Sequence, residues 1–210
     1  NGKGLSSTTV SPLLNIAGGN LTIVDSKMIG QISLTAAADA ADDAPAVRVT
    51  NGSLTMNRGT IAATAQSATK GAMAVQVVGG TFTLNVGLLQ ATANNYAAAI
   101  LNYGGTVIMK AGELQATAAT NVATLFAYAG TTTVENGSIT ATLTGTNTGA
   151  GVYVFKDATV TVQRAAVLAQ ATGGFAGGRL CCDHGGKRRG GAGGDGAGDH
   201  GSRGAGYHDA

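Results

Sequence analysis

Residues 53–64 read Ser-Leu-Thr-Met-Asn-Arg-Gly-Thr-Ile-Ala-Ala-Thr, and this stretch decides the fold. Apolar and polar residues alternate in it, which places Leu54 and Met56 on one side of a short strand. The same alternation places Ile61 on the corresponding side of a second strand. Between them, Gly59 can adopt the positive φ of a tight corner without a Cβ clash. The stretch therefore predicts two half-buried strands joined by a corner.

The same pattern recurs along the chain at intervals of 25 to 33 residues. After the second strand and a polar loop, Ala74–Val77 reads as a third strand that completes one coil. The first inward position of each copy is Leu21, Leu54, Phe82, Val107, Thr132 and Val160. A repeat of this length, built from short alternating segments, is typical of a β-solenoid. We therefore predict an all-β parallel β-helix whose three-strand coils span about 25–28 residues.

Two further positions keep a fixed distance from these anchors, which strengthens the prediction of stacked coils. Corner glycines recur as Gly59, Gly87, Gly112 and Gly137. Seven residues before each anchor lies another apolar residue: Leu14, Val47, Val75, Ile100, Leu125 and Tyr153. Equivalent side chains are then expected to form vertical columns, because each coil lies directly on the one before it.

The chain of 210 residues divides into three segments. We predict an N-terminal cap or flanking segment at 1–13, the β-helix repeats at 14–172, and a Gly-rich disordered tail at 173–210. The tail holds all three histidines and lacks apolar periodicity, so it cannot bury a core. A second interpretation is that the tail results from a frameshift, because a frameshift in a GC-rich gene would convert Thr/Ala-rich coil sequence into such a tail. Adjacent Cys181 and Cys182 lack zinc-site spacing, so neither a metal site nor a cofactor is predicted.

Composition restricts the classes of function. A net charge of +2 with only 11% charged residues is far from the basic surface that nucleic acid requires. No apolar run is long enough to span a bilayer. The chain opens on Asn1 without a targeting segment, so an export signal is expected outside it. Repeats without cysteine suit an extracellular or cell-surface location.

The runs Gly104–Thr117 and Asn51–Ile61 resemble the repeats of bacterial right-handed parallel β-helix surface proteins, of the pectin-lyase-like and adhesin or autotransporter-passenger types. The resemblance covers about residues 14–172 and specifies the fold more than the family. It implies an exported, surface-attached protein, and the right-handed winding is also implied by this resemblance alone.

Outward positions of the first strand are mostly threonine. This array comprises Thr55, Thr81, Thr83, Thr106, Thr131, Thr133, Thr159 and Thr161, and Ile108 interrupts it. A flat Thr-x-Thr surface can order water, as in solenoids that bind ice or minerals. Threonine is also simply favoured on pleated, half-exposed strands.

Aromatic and aliphatic residues give a second candidate surface. Tyr103 and Tyr128 occupy equivalent corners of adjacent coils, beside a predicted outward column of Leu101, Phe126 and Val154. Exposed apolar stripes mark partner surfaces or platforms on which sugars stack. The alternatives are that these side chains turn inward or that another part of the protein covers them.

No catalytic residues are predicted, because no acid and base pair flanks a common position on the strands. We therefore expect a non-enzymatic structural or adhesive module that binds surface glycans or host or cell-surface proteins. End-to-end or lateral self-association is a further expectation, because a terminal coil is an open edge. The alternatives are a fragment of a polysaccharide lyase or hydrolase, and an ice- or mineral-binding solenoid.

Overall fold

The computed structural model describes residues 4–9, 11–26, 29–38, 42–172 and 180–181, without the side chains of 156 and 180–181. In these ranges every regular element is a β-strand and every strand pair is parallel. The strands are Leu5–Ser7 (β1), Leu14–Ile16 (β2), Asn20–Ile23 (β3), Gln31–Ala36 (β4), Ala44–Val49 (β5), Ser53–Met56 (β6), Thr60–Ala65 (β7), Gly71–Val77 (β8), Thr81–Leu84 (β9), Leu88–Ala93 (β10), Tyr96–Asn102 (β11), Thr106–Met109 (β12), Glu113–Ala118 (β13), Asn121–Leu143 (β14), Thr148–Ala171 (β15) and Leu180–Cys181 (β16).

The strands form three vertical stacks, and the chain visits them in turn. The first stack is β3-β6-β9-β12 followed by 131–134 of β14 and 159–162 of β15. The second stack is β1-β4-β7-β10-β13 followed by 138–143 and 166–171. The third stack is β2-β5-β8-β11 followed by 121–127, 148–154 and β16. The result is a β-solenoid of about six turns, which confirms the predicted fold class.

The interior of the cylinder is a narrow, continuous apolar core. Leu54, Phe82 and Val107 lie one above the next with no more than 1% exposure, as the repeat predicted. In the terminal coils the inward residues are partly exposed: Leu21, in the same column, exposes 37%, and Val162, in the neighbouring inward column, also exposes 37%. Each coil is therefore covered by its neighbours, and the first and last coils of the described stack are covered on one side only.

The corner between the first and second strands is built from stacked glycines. Gly59, Gly87, Gly112 and Gly137 all have positive φ, between 109° and 142°. A Cβ on Gly112 would come within 2.5 Å of the carbonyl oxygen of Gly87 in the coil below. Glycine is thus required both by the backbone conformation and by the close approach of two coils.

One polar residue enters the core at the next corner. Asn102 is fully buried, and its Oδ1 accepts hydrogen bonds from the N–H groups of Gly104 and Gly105 at 3.2 and 2.9 Å. Its Nδ2 donates to the carbonyl oxygens of Gly105 and Thr131, and to Oγ1 of Thr132 at 3.2 Å. Because all its polar atoms are satisfied, the side chain fixes the corner rather than destabilising the core.

The solenoid extends slightly beyond the range predicted from the repeats. β1 lies within the segment predicted as a cap, and it pairs in parallel with β4. Within the predicted tail the structure describes only β16, which pairs with Gly149 and Ala150. The three histidines, Cys182 and the rest of that tail lie outside the described residues.

Candidate functional site

The outer side of the third stack changes its chemistry along the rod. One outward column runs through Arg48, Gln76, Leu101, Phe126 and Tyr153 in successive coils. At its polar end Arg48 Nε donates a hydrogen bond of 2.6 Å to Gln76 Oε1. The three later positions are apolar or aromatic, so an apolar surface begins halfway along the stack.

A small buried cluster lies beneath this surface, outside the main core. Met73, Ala98 and Leu101 form it, and Tyr96 and Phe126 pack against them from outside. The ring of Tyr96 lies beside Gly71, where a Cβ would come within 2.8 Å of its Cδ1. Leu101 therefore points outward as predicted but exposes only 2% of its surface. Its role is to support the aromatic residues, and the prediction that it lies on an exposed stripe is wrong.

Six aromatic rings form one connected group, here called the aromatic cluster. Phe126 makes edge contacts with three of them, at centroid distances of 6.3, 6.4 and 5.0 Å. Tyr128 stacks on Phe155 at 4.8 Å and 13°, and lies 5.7 Å from Tyr103. Phe82 is the only other aromatic side chain among the described residues. The members are Tyr96, Tyr103, Phe126, Tyr128, Tyr153 and Phe155.

Four members of the aromatic cluster are substantially exposed. Tyr103, Tyr128, Tyr153 and Phe155 each show 40–42% of their surface to solvent. The structure thus brings Tyr103 and Tyr128 together on the outside, as expected from their equivalent positions in the repeat. Exposed aromatic residues in mutual contact are a common feature of binding surfaces.

Val154 does not belong to the outward column in which the sequence placed it. β14 and β15 pair Ala127 with Val154 but Ala129 with Asp157, so β15 carries one extra residue between these pairs. Because of this extra residue, the inward residue of this coil lies one position earlier than the constant spacing of seven residues before Val160 predicts. Val152, not Tyr153, continues the inward column, and Tyr153, not Val154, follows Phe126 on the outside.

A groove of about 190 Å³ runs between the rings of the aromatic cluster. Ala123 and Ala150, which follow Ala98 in a second outward column, line it with small side chains. Asn121 and Thr148, paired across adjacent coils, also line it, and their side chains are polar. The remaining lining comprises Tyr96, Val122, Phe126, Tyr128, Tyr153 and Phe155, and none of these described side chains is charged.

Tyr96 differs from the other tyrosines of the cluster. Its hydroxyl oxygen is buried and has no hydrogen-bond partner among the described residues. Burial, assisted by the nearby Tyr103 and Asp43, raises the pKa of Tyr96 well above its ordinary value. Loss of the proton would place a charge among apolar groups, so the hydroxyl stays neutral at physiological pH.

Sequence reasoning missed three members of the cluster: Tyr96, Tyr153 and Phe155. Tyr153 was assigned to the core because the bulge was not recognised. Tyr96 follows a polar loop and matches no position of the repeat. The positions of the aromatic residues in the sequence could have indicated the cluster. Apart from Phe82, all aromatic residues of the repeat region lie between 96 and 155.

The threonine array is placed as the repeat predicted. Thr81, Thr106, Thr131 and Thr159 are in register, in one outward column of the first stack. The neighbouring column holds Thr55, Thr83, Ile108, Thr133 and Thr161. These side chains are half-buried to exposed, and Ile108 interrupts the array at its centre.

The described residues offer little for acid–base or metal chemistry. No group of three or more His, Cys, Asp and Glu lies close enough to hold a metal ion in the described part of the chain. Asp43, in the loop before β5, accepts a 2.7 Å hydrogen bond from the N–H of Gly71. That carboxylate therefore has a structural role at the start of β8.

Searches against family models, curated proteins and solved structures find no match to this chain. In the ranges that the structure describes, no helix is long and apolar enough to cross a membrane.

Proposed function

We propose that the chain is a non-enzymatic binding module of a secreted or cell-surface protein. The solenoid serves as a rigid rod, and the aromatic cluster on its third stack serves as the adhesive surface. The observation that carries this proposal is the concentration of aromatic residues: six rings lie in one connected group on the third stack and the corner that follows it.

The position of the cluster on the scaffold supports a binding role. β8 and β11 beneath it are almost entirely buried on both sides, so the rings rest on a well-packed base. Aromatic side chains with few rotatable bonds lose little conformational entropy when they bind a partner. Packing and hydrogen bonding within the coils hold the platform in shape before any partner arrives.

The enzymatic alternative receives less support. Glycosidic bond cleavage ordinarily needs two carboxyl groups on either side of the bond. Among the described residues, no carboxylate, histidine, lysine or arginine lines the groove in the aromatic cluster. The resemblance of the repeats to bacterial β-helix surface proteins favours a location outside the cell and agrees with adhesion as well as with catalysis.

The experiment is an adhesion assay with matched variants. Beads carrying the purified chain are passed over immobilised glycans, extracellular matrix proteins and whole cells. Replacement of Tyr103, Tyr128 and Phe155 by serine should abolish adhesion to whichever surface retains the wild type. The control replaces Thr83, Thr133 and Thr161 of the first stack by serine and should adhere normally. Equal adhesion of both variants would refute the proposal.

The threonine array supports a second candidate function, the binding of ice. Its two columns stand on adjacent outward positions and repeat at the spacing of stacked strands, about 4.8 Å. Such a surface is regular in two directions, apart from the interruption at Ile108. The test is thermal hysteresis of the wild type. Replacement of Thr106 by tyrosine should remove the hysteresis, and the serine variant of the aromatic cluster should keep it. Absence of hysteresis in the wild type would exclude ice binding.

A further inference from the structure

The groove in the aromatic cluster combines two kinds of lining. Phe126, Tyr153 and Phe155 contribute aromatic rings, and Asn121 and Thr148, whose side chains carry an amide and a hydroxyl, also line it. The Thr148 hydroxyl lies 3.5 Å from Oδ1 of Asn147, to which it donates. Ala123 and Ala150 keep its centre open, since a larger side chain in that column would fill the space. An occupant that matches this lining must itself be apolar on some faces and hydrogen-bonding on others.

The lining also selects on charge. Because none of the described side chains that line the groove is charged, a carboxylate, sulfate or phosphate placed there would lose its hydration without an ion pair from them. Arg48, the nearest charged residue of the same outward column, is already hydrogen-bonded to Gln76 at the other end of the stack. A neutral ligand is therefore the complementary one.

A pyranose ring meets both requirements. Its C–H groups form apolar faces that pack on aromatic rings, and its hydroxyls lie around the edge, where they both donate and accept hydrogen bonds. An aliphatic chain would leave Asn121 and Thr148 without partners once water is displaced, which is costly for polar groups. A uronic acid would bring in the uncompensated charge.

Resting on the proposed binding role of the aromatic cluster, we infer that the groove binds a neutral saccharide. Phe126, Tyr153 and Phe155 contact the sugar's C–H faces, and Asn121 and Thr148 hydrogen-bond its hydroxyls. The module is thus a lectin for uncharged glycans. Acidic polymers such as polyuronates are excluded from this groove.

The test is isothermal titration calorimetry of the full chain with defined probes. The neutral probes are hexasaccharides of glucose, galactose, mannose and xylose, and the acidic probe is hexagalacturonate. At least one neutral probe should bind, and hexagalacturonate should give no heat of binding. Tyr153→Ala should remove the binding. Saturation by hexagalacturonate at the affinity of the neutral probes would overturn the inference.

A second variant separates a sugar site from a merely apolar one. Asn121→Leu combined with Thr148→Val keeps the side-chain sizes and removes the hydrogen-bonding groups of the groove. Affinity for the neutral saccharide should fall on the order of tenfold, since two hydrogen bonds are lost. Thr161→Val, which removes one hydroxyl from the first stack, is the matched control and should bind as the wild type does. Unchanged affinity of the double variant would contradict the assigned contacts.

Failure of this inference is distinguishable from failure of the binding role. If no neutral probe binds at millimolar concentration while the serine variant of the cluster still loses adhesion, the aromatic surface binds a partner other than a neutral saccharide. The sugar inference is then wrong and the binding role stands. If the serine variant adheres normally, the binding role itself fails, whatever the titrations show.

Discussion

The outer sides of the first and third stacks differ in how closely they follow the repeat. The first presents threonine at most outward positions from β6 to 159–162 of β15. The third begins with a hydrogen-bonded Arg48–Gln76 pair and ends with Phe126 and Tyr153 at the same column. Both stacks share one core and one set of corners. The residues that repeat therefore specify the coil, and those that depart from the repeat give the molecule its individual surface.

The physical reason lies in what each position touches. An inward residue contacts the coils above and below and two other stacks, so its size and polarity are tightly constrained. An outward residue contacts its column neighbours and solvent, and most replacements there cost little. A change of chemistry along an outward column, such as that of the third stack, is thus compatible with an unchanged coil.

The largest expected effect is at a repeating corner. Gly112→Ala should lower the free energy of unfolding by at least about 3 kcal/mol, because its φ of 111° and the carbonyl of Gly87 both exclude a Cβ. Urea denaturation would measure the loss. Gly18→Ala is the control, since nothing lies within 4 Å of a Cβ there. Equal stability of the two variants would contradict the expectation that repeating positions are more constrained than variable ones.

The next effect is at Asn102, a departure from the repeat that lies inside the core. Asn102→Ala should cost about 2–3 kcal/mol, because the buried N–H of Gly105 loses its acceptor. Asn94, which is exposed and donates to the carbonyl oxygen of Gln66 at 2.7 Å, is the matched control. Asn94→Ala should cost less than about 1 kcal/mol. Denaturant midpoints that coincide would show that the corner does not depend on Asn102.

The third effect concerns pH and belongs to the aromatic cluster. The pKa of Tyr96 is raised in the folded state, so its contribution to stability is complete below about pH 10, the ordinary tyrosine value, and declines above it. Above pH 10 the unfolded chain releases this proton while the folded chain keeps it. The free energy of unfolding therefore falls by about 1.4 kcal/mol per pH unit. Tyr96→Phe should remove this alkaline decline, as measured by unfolding at pH 9 to 11. An unchanged pH profile would mean that Tyr96 titrates normally.

A smaller effect on stability is expected at the exposed rings. Tyr128→Ala should cost about 1 kcal/mol, the value of its contacts with Phe155 and Tyr103, yet weaken adhesion strongly. Thermal unfolding and the bead assay would give the two numbers. A large loss of stability with normal adhesion would show that Tyr128 stabilises the fold and does not contribute to adhesion.

The smallest effect is expected in the threonine array. Thr83→Val should change stability by less than about 0.5 kcal/mol, because Ile108 already occupies the next position of the same column. The melting temperature is a sufficient measurement. A decrease of several degrees would show that the array stabilises the coil rather than only covering it.

Much of this architecture could be predicted from the sequence. Alternation around Leu54 and Met56, and the recurrence of Gly59, reflect local rules that hold in every coil, so strands, corners and columns followed directly. Leu101 could not be judged exposed or buried, because its burial depends on the ring of Tyr96, which leaves the strand at a different column. The positions of Tyr153 and Val154 depended on a bulge, which changes register without altering composition.

The extra residue that β15 carries between Val154 and Asp157 shows how such a chain can change the chemistry of one outer surface. Because side chains alternate between the interior and solvent, inserting a single codon exchanges the residues of one strand segment between the two. The adjoining coils need no compensating change when the bulge absorbs the added length. A change in repeat length is then an evolutionary route by which tandem β-repeats alter the side chains that they expose.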